Sequence, residues 1–450
     1  MYNPDTSTGC GMSLVRTIGR WAFTALIVNT IIGSGIFGIP SELNAIVGRA
    51  SPIAMLLAGL GMGIMMACFA EVASQFTEPG GAYLYTRTAF GRFVGMQVAW
   101  FSWLAPMAAT AAGANLLAIY LAGFFPATAS GIGRAAVLTV LIGFLASANY
   151  IGIRTGTGLN NVFTVAKLLP LGLLIVLGLV HFAKHPEAIR VGEIASPGIG
   201  GWVDALLLLA FAYAGFENVM IPMGEVKNPR RTVPFSLAIG LLLCMTIYAL
   251  IQFIVVVTIG TGHIDRPLAA TAGVLIGSSG AMFVTIAAML SSYGNLSAIM
   301  LATPRLTYSL AEQHDFPGFF GKIHPRFKTP HVSIVILSVL TWILAVSGTF
   351  RWALALASGA VIIIYASVCA SLIRLRQLHP SVDALRLPFG YGFAVTGMAV
   401  ALILLTRLTL KEGFLLILTA GLATVNWVWA RRNFPSPSDS AAVHLTSAPH

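Results

Sequence analysis

Marking every Asp, Glu, Lys and Arg divides the 450-residue chain into apolar runs bounded by charge. Twelve runs result: 21–41, 50–70, 93–133, 135–153, 155–183, 205–224, 232–264, 267–304, 332–350, 352–373, 387–406 and 413–430. A helix rises 1.5 Å per residue and the hydrocarbon core of a bilayer is about 30 Å thick, so runs of about 20 residues are membrane spans. The 93–133 run is too long for one span and is expected to hold a long helix plus a Gly123-Phe124-Phe125-Pro126 loop; the 267–304 run is similar. The pattern predicts an all-α integral membrane protein of about twelve transmembrane helices.

Two spans break their own pattern. From Trp21 to Ser41 no charge appears, yet Gly33, Gly35, Gly38 and Pro40 crowd the second half of the run. Glycine costs about 1 kcal/mol per helix position and leaves backbone polar groups uncovered, so Gly33-Ser34-Gly35 is expected to unwind. Unwound backbone at membrane depth is tolerated only beside protein or a watery cavity, which makes the stretch a candidate binding site. Its N–H groups would open a half-helix whose dipole favours an anion such as a carboxylate. The alternative is that small residues merely let two helices approach. A second break falls about 180 residues later, at Phe211-Ala212-Tyr213-Ala214-Gly215-Phe216-Glu217-Asn218, with Pro222 close behind. Broken first and sixth spans are equivalents in two five-span halves. Five is odd, so the second half must cross the membrane inverted, which is the repeat pattern of secondary transporters.

Charge refines the topology. Alternate loops carry 17 and 8 of the 26 Lys and Arg residues, and the one left over is Lys167. The positive-inside rule makes the richer set cytoplasmic, and both termini with it. The organisation expected is a cytoplasmic segment 1–15, one transmembrane domain 16–432 and a disordered cytoplasmic tail 433–450. Within the domain, one repeat covers about 16–183 and the other about 202–376, with extra helices at about 387–431. The net charge of +11 lies in short clusters between apolar runs, which argues against nucleic acid. With 57% hydrophobic and 9% charged residues, membrane lipid is the solvent to expect. Cys10, Cys68, Cys244 and Cys369 are far apart and suggest neither a disulfide framework nor a zinc site. No cleavable signal is visible, so the first span is expected to direct insertion itself.

Two charges interrupt the apolar runs, Lys167 in the fifth and Glu217 in the sixth. Each would cost about 2.5–3.5 kcal/mol facing lipid at a helix centre, so each needs a partner or water. By rise per residue Lys167 lies about 14 Å past Gly158, and Glu217 about 12 Å before Glu225, which places both near the midplane. Lys167 reads as a fixed or titrating cation organising the breaks, or as a structural lysine on a backbone carbonyl or on Glu217. Glu217 reads as a proton-linked carboxylate or a partner for a substrate ammonium, or as an acceptor of backbone N–H groups in an unwound helix. An intramembrane enzyme would need a nucleophile and base or a metal cluster. The nine histidines, among them His181, His185, His263, His314, His324, His331 and His379, lie in loops or near span ends without His-Glu-x-x-His spacing. No catalytic residue, metal site or cofactor is expected, and nothing in the sequence sets an oligomeric state.

Three motifs carry a family resemblance over about residues 15–430: Gly33-Ser34-Gly35-Ile36-Phe37; Glu78-Pro79-Gly80-Gly81-Ala82-Tyr83-Leu84-Tyr85 with Phe90-Gly91; and Gly224-Glu225-Val226-Lys227-Asn228-Pro229-Arg230-Arg231-Thr232-Val233-Pro234. Together they resemble the amino acid/polyamine/organocation permeases. The resemblance implies a leucine-transporter-like fold of five plus five inverted spans with two extra helices. It also implies that backbone at Gly33, Ser34 and Gly35, flanked by Ile32 and Ile36, holds a substrate carboxylate. Carbonyls near Phe211, Ala212 and Ala214 would hold its ammonium, with Phe211 as an aromatic gate. Lys167 matches a fifth-span lysine that stands in for the sodium of distant cousins, which favours proton coupling or exchange. At the eighth-span position where the arginine/agmatine antiporter has a tryptophan, this chain has Ile299, which argues against stacking a guanidinium. Met107, Ala298, Ile299 and Ser358 are the side-chain pocket candidates. The function implied is sodium-independent, proton-coupled amino acid uptake across a bacterial inner membrane, with amine or amino acid exchange as the alternative and an ion channel a distant third.

Overall fold

The computed structural model describes residues 18–76, 80–152, 157–186, 197–220, 226–378 and 385–434. In chain order its helices are α1 (Arg20–Ile31), α2 (Gly35–Val47), α3 (Ser51–Ala73), α4 (Gly81–Phe90), α5 (Arg92–Leu121), α6 (Gly131–Ile151), α7 (Thr157–Lys184) and α8 (Ile199–Ala212). They continue with α9 (Phe216–Val219), α10 (Pro229–Ile259), α11 (Pro267–Glu312), α12 (His331–Ser347), α13 (Phe350–Leu378), α14 (Gly390–Leu405) and α15 (Leu410–Asn433). Helix occupies each of the twelve apolar runs, as it must where no water is present to satisfy a bare backbone. The protein is a multi-pass, all-α membrane protein.

The two expected breaks are present. The 21–41 run is two half-helices, α1 and α2, separated by Ile32-Gly33-Ser34; the sixth run is α8 and α9, separated by Tyr213-Ala214-Gly215. The overlong runs resolve as expected too. The 93–133 run is α5, a turn around Pro126 and the start of α6. Inside α11, Ile276 (φ −137°) and Gly277 (φ +78°) leave helical geometry, so the 267–304 run bends sharply there.

Charge marks some boundaries poorly. α6 begins at Gly131 rather than at residue 135, because Arg134 lies inside the helix and donates to carbonyls of Ala345 (3.1 Å) and Gly348 at the end of α12. The stretch after α3, which looks like a loop because it carries Arg87, forms α4, with Ala82, Tyr83, Tyr85, Thr86 and Ala89 buried. At the other end of the chain α15 extends to Asn433, and the ring of Phe434 stacks on His314 with centroids 4.2 Å apart. Residues 1–17 and 435–450, and with them most of the expected terminal segments, lie outside the described residues, as do Glu78-Pro79 and Gly224-Glu225 of two motifs.

α5 and α13 form the centre of the bundle. Small residues (Ala105, Ala108, Ala111, Ala112, Gly113 and Ala114 on α5; Ala353, Ala355, Ala357, Gly359 and Ala360 on α13) are buried and let backbones approach closely. α6, α7 and α15 form the periphery and leave Val140, Phe144, Val176, Ile417 and Val425 outward. Large apolar side chains on the outside are the signature of a surface solvated by lipid tails rather than water.

Several cationic residues that topology alone would explain also hold the fold. Arg92 Nε and Arg87 Nη1 pair with the fully buried Asp315 carboxylate at 2.8 and 3.0 Å, and the Tyr83 hydroxyl donates to the same carboxylate. Burial, then the Asp315 charge, push the Tyr83 phenol above its ordinary range, so it stays a donor. Arg92 also donates to the carbonyls of His314 (2.9 Å) and Phe434 (2.6 Å), which ties the end of α15 to this cluster. Arg376 grips Glu71 through two bonds of 2.6 and 2.7 Å, linking α13 to α3.

Candidate functional site

The paired breaks build the site, and glycine decides how closely they meet. Gly215 has φ +109°, a conformation that L side chains rarely adopt, and a Cβ there would stand 2.7 Å from the Thr30 carbonyl oxygen. The backbone of the second break therefore lies directly on the last turn of α1. At Gly35 a Cβ would stand 3.2 Å from two ring carbons of Phe211 and 3.1 Å from Ile39 Cδ1. Phe211, half-buried at the end of α8, thus packs over the start of α2.

The polar groups at the first break sort themselves by hydrogen bonding. Gly33 N–H donates to the Ile31 carbonyl (2.8 Å), and Phe37 N–H to the Ser34 carbonyl (3.1 Å). Among the described residues, the N–H groups of Ser34, Gly35 and Ile36 have no acceptor. The Ser34 hydroxyl is buried without a partner, 3.4 Å from where a Cβ at Gly113 of α5 would stand. Three N–H groups and a hydroxyl at the positive end of a half-helix are chemically suited to an anionic oxygen. The unbonded N–H groups run from Ser34 to Ile36, one residue toward α2 from the Gly33–Gly35 stretch that the glycine pattern suggests, because Gly33 N–H donates to the Ile31 carbonyl.

The C-terminal ends of α1 and α8 present carbonyls instead. Lys167 of α7 reaches the Asn29 carbonyl at 2.5 Å, and Thr164, one turn earlier, donates to the Asn29 side chain at 3.2 Å. An ammonium on the last turn of a helix meets both an unpaired carbonyl and the negative end of the dipole. Tyr248 of α10 spans the breaks: its hydroxyl lies 2.9 Å from the Ile31 carbonyl oxygen and 3.1 Å from that of Ala212. Ala214 N–H donates to the Phe211 carbonyl at 3.2 Å, so that oxygen keeps one lone pair for another donor.

Glu217 sits in the first turn of α9. One of its oxygens accepts Gly215 N–H (2.8 Å) and the hydroxyl of Tyr365 from α13 (2.5 Å). The Tyr365 ring packs in turn against Phe69 and Phe216. Lys167 and Glu217 therefore serve different half-helices, Lys167 through Asn29 and Glu217 through Gly215, rather than pairing with each other.

Of the pocket candidates, Ser358 is fully buried on α13, two turns before Tyr365 on the same face, with its hydroxyl unpartnered. Met107 is buried on α5, Ile299 is half-buried on α11, and Ala298 is exposed. The α11 side chain against the first break is Asn295, whose amide nitrogen would lie 3.6 Å from a Cβ at Gly33. Sequence reasoning missed Asn295, Asn29, Tyr248 and Tyr365; for Asn295 the available signal was a polar amide inside an apolar run. A cavity of about 350 Å³ opens elsewhere, beside the Gly48 end of α2, lined by Asn44, Val47, Gly48, Pro197, Thr261 and Gly262.

Two half-helix pairs meeting at membrane depth, with unbonded N–H groups on one and carbonyl ends on the other, have the broken-helix architecture of secondary transporters. The solved structure of Mhp1, a nucleobase-cation-symport-1 family transporter, shares the fold with a TM-score of 0.55 at 15% identity, covering 94% of this chain and 96% of that one. The sequence profile described as "Amino acid permease" matches residues 18–430, so the chain belongs to the amino acid permease family, within the amino acid/polyamine/organocation permeases. Among its relatives, the serine/threonine exchanger SteT of Bacillus subtilis is 29% identical over 71% of this chain and 74% of its own. The methylthioribose transporter of the same organism is 26% identical over 84% of this chain and 85% of its own.

Proposed function

We propose that the protein moves an amino acid or a closely related amine across the cytoplasmic membrane by alternating access, without chemistry on the substrate. The observation that carries this reading is the free set of Ser34, Gly35 and Ile36 N–H groups with the orphaned Ser34 hydroxyl. That set complements a carboxylate, and the Phe211 ring lies over it. The carbonyl ends near Phe211, Ala212 and Ala214 suit the ammonium of the same molecule. Exchangers and permeases among the relatives support an amino acid as cargo, and the methylthioribose transporter marks how far substrates spread at this level of identity.

Lys167 supports sodium-independent transport, since its ammonium already occupies the carbonyl end of α1. Glu217 is the group we assign to proton coupling, which makes symport the leading mode. Exchange is the second reading, favoured by the likeness to SteT. The excess of Lys and Arg on one set of loops supports cytoplasmic termini. A single chain with inverted halves fits a channel poorly, because filters are built from rings of equivalent groups.

Sodium-free proteoliposomes loaded with buffer or with unlabelled amino acids test this reading, using a panel of labelled amino acids with and without an inward proton gradient. Gradient-driven uptake into buffer-loaded vesicles is expected. Uptake only with internal substrate would assign exchange, strict sodium dependence would remove the role given to Lys167, and no uptake of any amino acid would sink the proposal.

A further inference from the structure

The seam between α1 and α10 ends in a basic corner that the proposed transport cycle does not use. Its backbone is fixed by close contacts. Gly240 of α10 meets α1 so closely that a Cβ there would stand 2.8 Å from the Ile27 side chain. One turn earlier on α10, Ser236 Oγ donates to the Arg20 carbonyl at 2.9 Å. Thr24 Oγ1 lies 2.8 Å from the same carbonyl oxygen and 3.0 Å from Ser236 Oγ. The first residue of α1 is thereby held against the first turns of α10.

The side chains at this corner turn outward. Trp21 is 62% exposed and meets Phe235 edge to face, with centroids 5.3 Å apart. The Arg20 guanidinium lies over both rings, 5.3 Å from the Phe235 centroid and 5.8 Å from that of Trp21, where the ring quadrupoles attract a cation. Arg231 is exposed and precedes Phe235 by four residues, so it leaves α10 from the same face, one turn nearer the start of the helix. The carboxylates of the described ion pairs, Glu42, Glu71, Asp204, Asp265 and Asp315, all serve other cations. Two guanidinium groups thus share one corner with no carboxylate among the described residues to neutralise them.

Deeper along the same seam the outer surface is apolar on both helices. On α10 the exposed face continues through Ala238 and Leu242, and on α1 through Ala25 and Leu26. Topology accounts for basic residues at this end of the bundle, but not for a guanidinium seated on two rings at the head of an apolar strip. That arrangement suits an amphiphile, with a negative headgroup above and hydrocarbon below, more than it suits a free anion. We infer that the α1–α10 corner binds an anionic phospholipid of the leaflet on the side of the basic loops, its phosphodiester on Arg20 and Arg231 and its acyl chains along Ala25, Leu26, Ala238 and Leu242. A guanidinium fits a phosphodiester because its planar fork donates two parallel N–H bonds. Bound there, the lipid clamps to α10 the start of α1, the half-helix whose other end Lys167 holds.

The test uses full-length protein purified in detergent and read by its thermal midpoint. It is titrated with phosphatidylglycerol, with phosphatidylcholine of the same chains, and with glycerol 3-phosphate. A saturable rise is expected with phosphatidylglycerol and none with the other two. A basic residue near an anionic lipid surface is worth roughly fivefold in affinity, so Arg231→Ala should raise the half-saturating concentration about fivefold, and Arg20→Ala with Arg231→Ala about 25-fold. Lys322→Ala with Arg326→Ala removes two exposed charges from another basic loop and should leave the titration unchanged. Because Arg231 is exposed, its single replacement probes the corner without disturbing the seam, and a monodisperse elution profile checks the fold. Equal stabilisation by phosphatidylcholine or by glycerol 3-phosphate would overturn the proposal. So would an undiminished response in the Arg20 and Arg231 variants, or an equal loss in the Lys322 and Arg326 control.

Discussion

Replacing Lys167 by Met tests what holds the end of α1. Methionine is unbranched and of similar length, so it fills the same space without the charge. The change removes an ammonium-to-carbonyl bond of 2.5 Å at Asn29. Hydrogen bonds to charged groups are worth about 1.5–3 kcal/mol. A cation on the last turn of a helix adds about 0.3–1 kcal/mol. Taking about 3 kcal/mol in all, the population in which α1 ends correctly against the second break falls roughly 150-fold. Since Gly215 lies on the neighbouring Thr30 carbonyl, a displaced α1 end also displaces the ammonium side of the site. Uptake in sodium-free proteoliposomes is therefore expected to lose roughly two orders of magnitude in kcat/KM. Membrane insertion and elution profile should stay those of the wild type. Lys167→Arg keeps the charge but brings a planar fork to a single carbonyl, so an intermediate loss is expected. Wild-type kinetics for Lys167→Met would refute the reasoning, because the carbonyl end of α1 would then need no cation.

Three further outcomes follow from the same geometry. Glu217→Gln still offers a carbonyl oxygen to Gly215 N–H and Tyr365, so folding should be unchanged while the pH dependence of uptake shifts or flattens; an unaltered profile measured across pH 5–8 would return Glu217 to a purely structural role. Gly215→Ala forces a Cβ to 2.7 Å from the Thr30 oxygen at φ +109°, and backbone strain of about 1–3 kcal/mol should lower the thermal midpoint and abolish substrate-induced stabilisation in a thermal-shift assay. Asp315→Ala removes the buried carboxylate that Arg92 and Arg87 share, and although Arg92 keeps its carbonyl acceptors, the loss should destabilise the protein in denaturant titration by about 3 kcal/mol, beyond that from an exposed pair such as Asp204–Arg407.

The broken spans were legible because glycine and proline are conspicuous inside an apolar run, and Lys167 and Glu217 because charge is. Their partners were not. A carbonyl acceptor such as that of Asn29 or Ile31 has no side-chain signature, and every residue carries one. Tyr248 and Tyr365 read as apolar aromatics until their hydroxyls are placed. Asn295, which the structure sets against Gly33, lies one helical turn before Ile299, the position to which the family resemblance points. α4 was invisible to a division by charge, since Arg87 looks like a loop residue until Asp315, 228 positions away, is seen beside it. The third motif acquires a local reason: Asn228 adopts φ +46° just before Pro229 opens α10, and Lys227 N–H donates to the Ile18 carbonyl at 2.9 Å, anchoring the start of α1.

The contact of Gly215 with the Thr30 carbonyl has a consequence for how changes combine. Independent sites give additive free energies, while sites that share a backbone shift do not. Thr30 belongs to the first break and Gly215 to the second, yet neither can move without the other, and the Tyr248 hydroxyl lies against the carbonyl ends of both. Substitutions at the two breaks are therefore coupled in the sense of a double-mutant cycle. Any redesign of one half for a new cargo has to be selected together with the other half, as a single unit of variation.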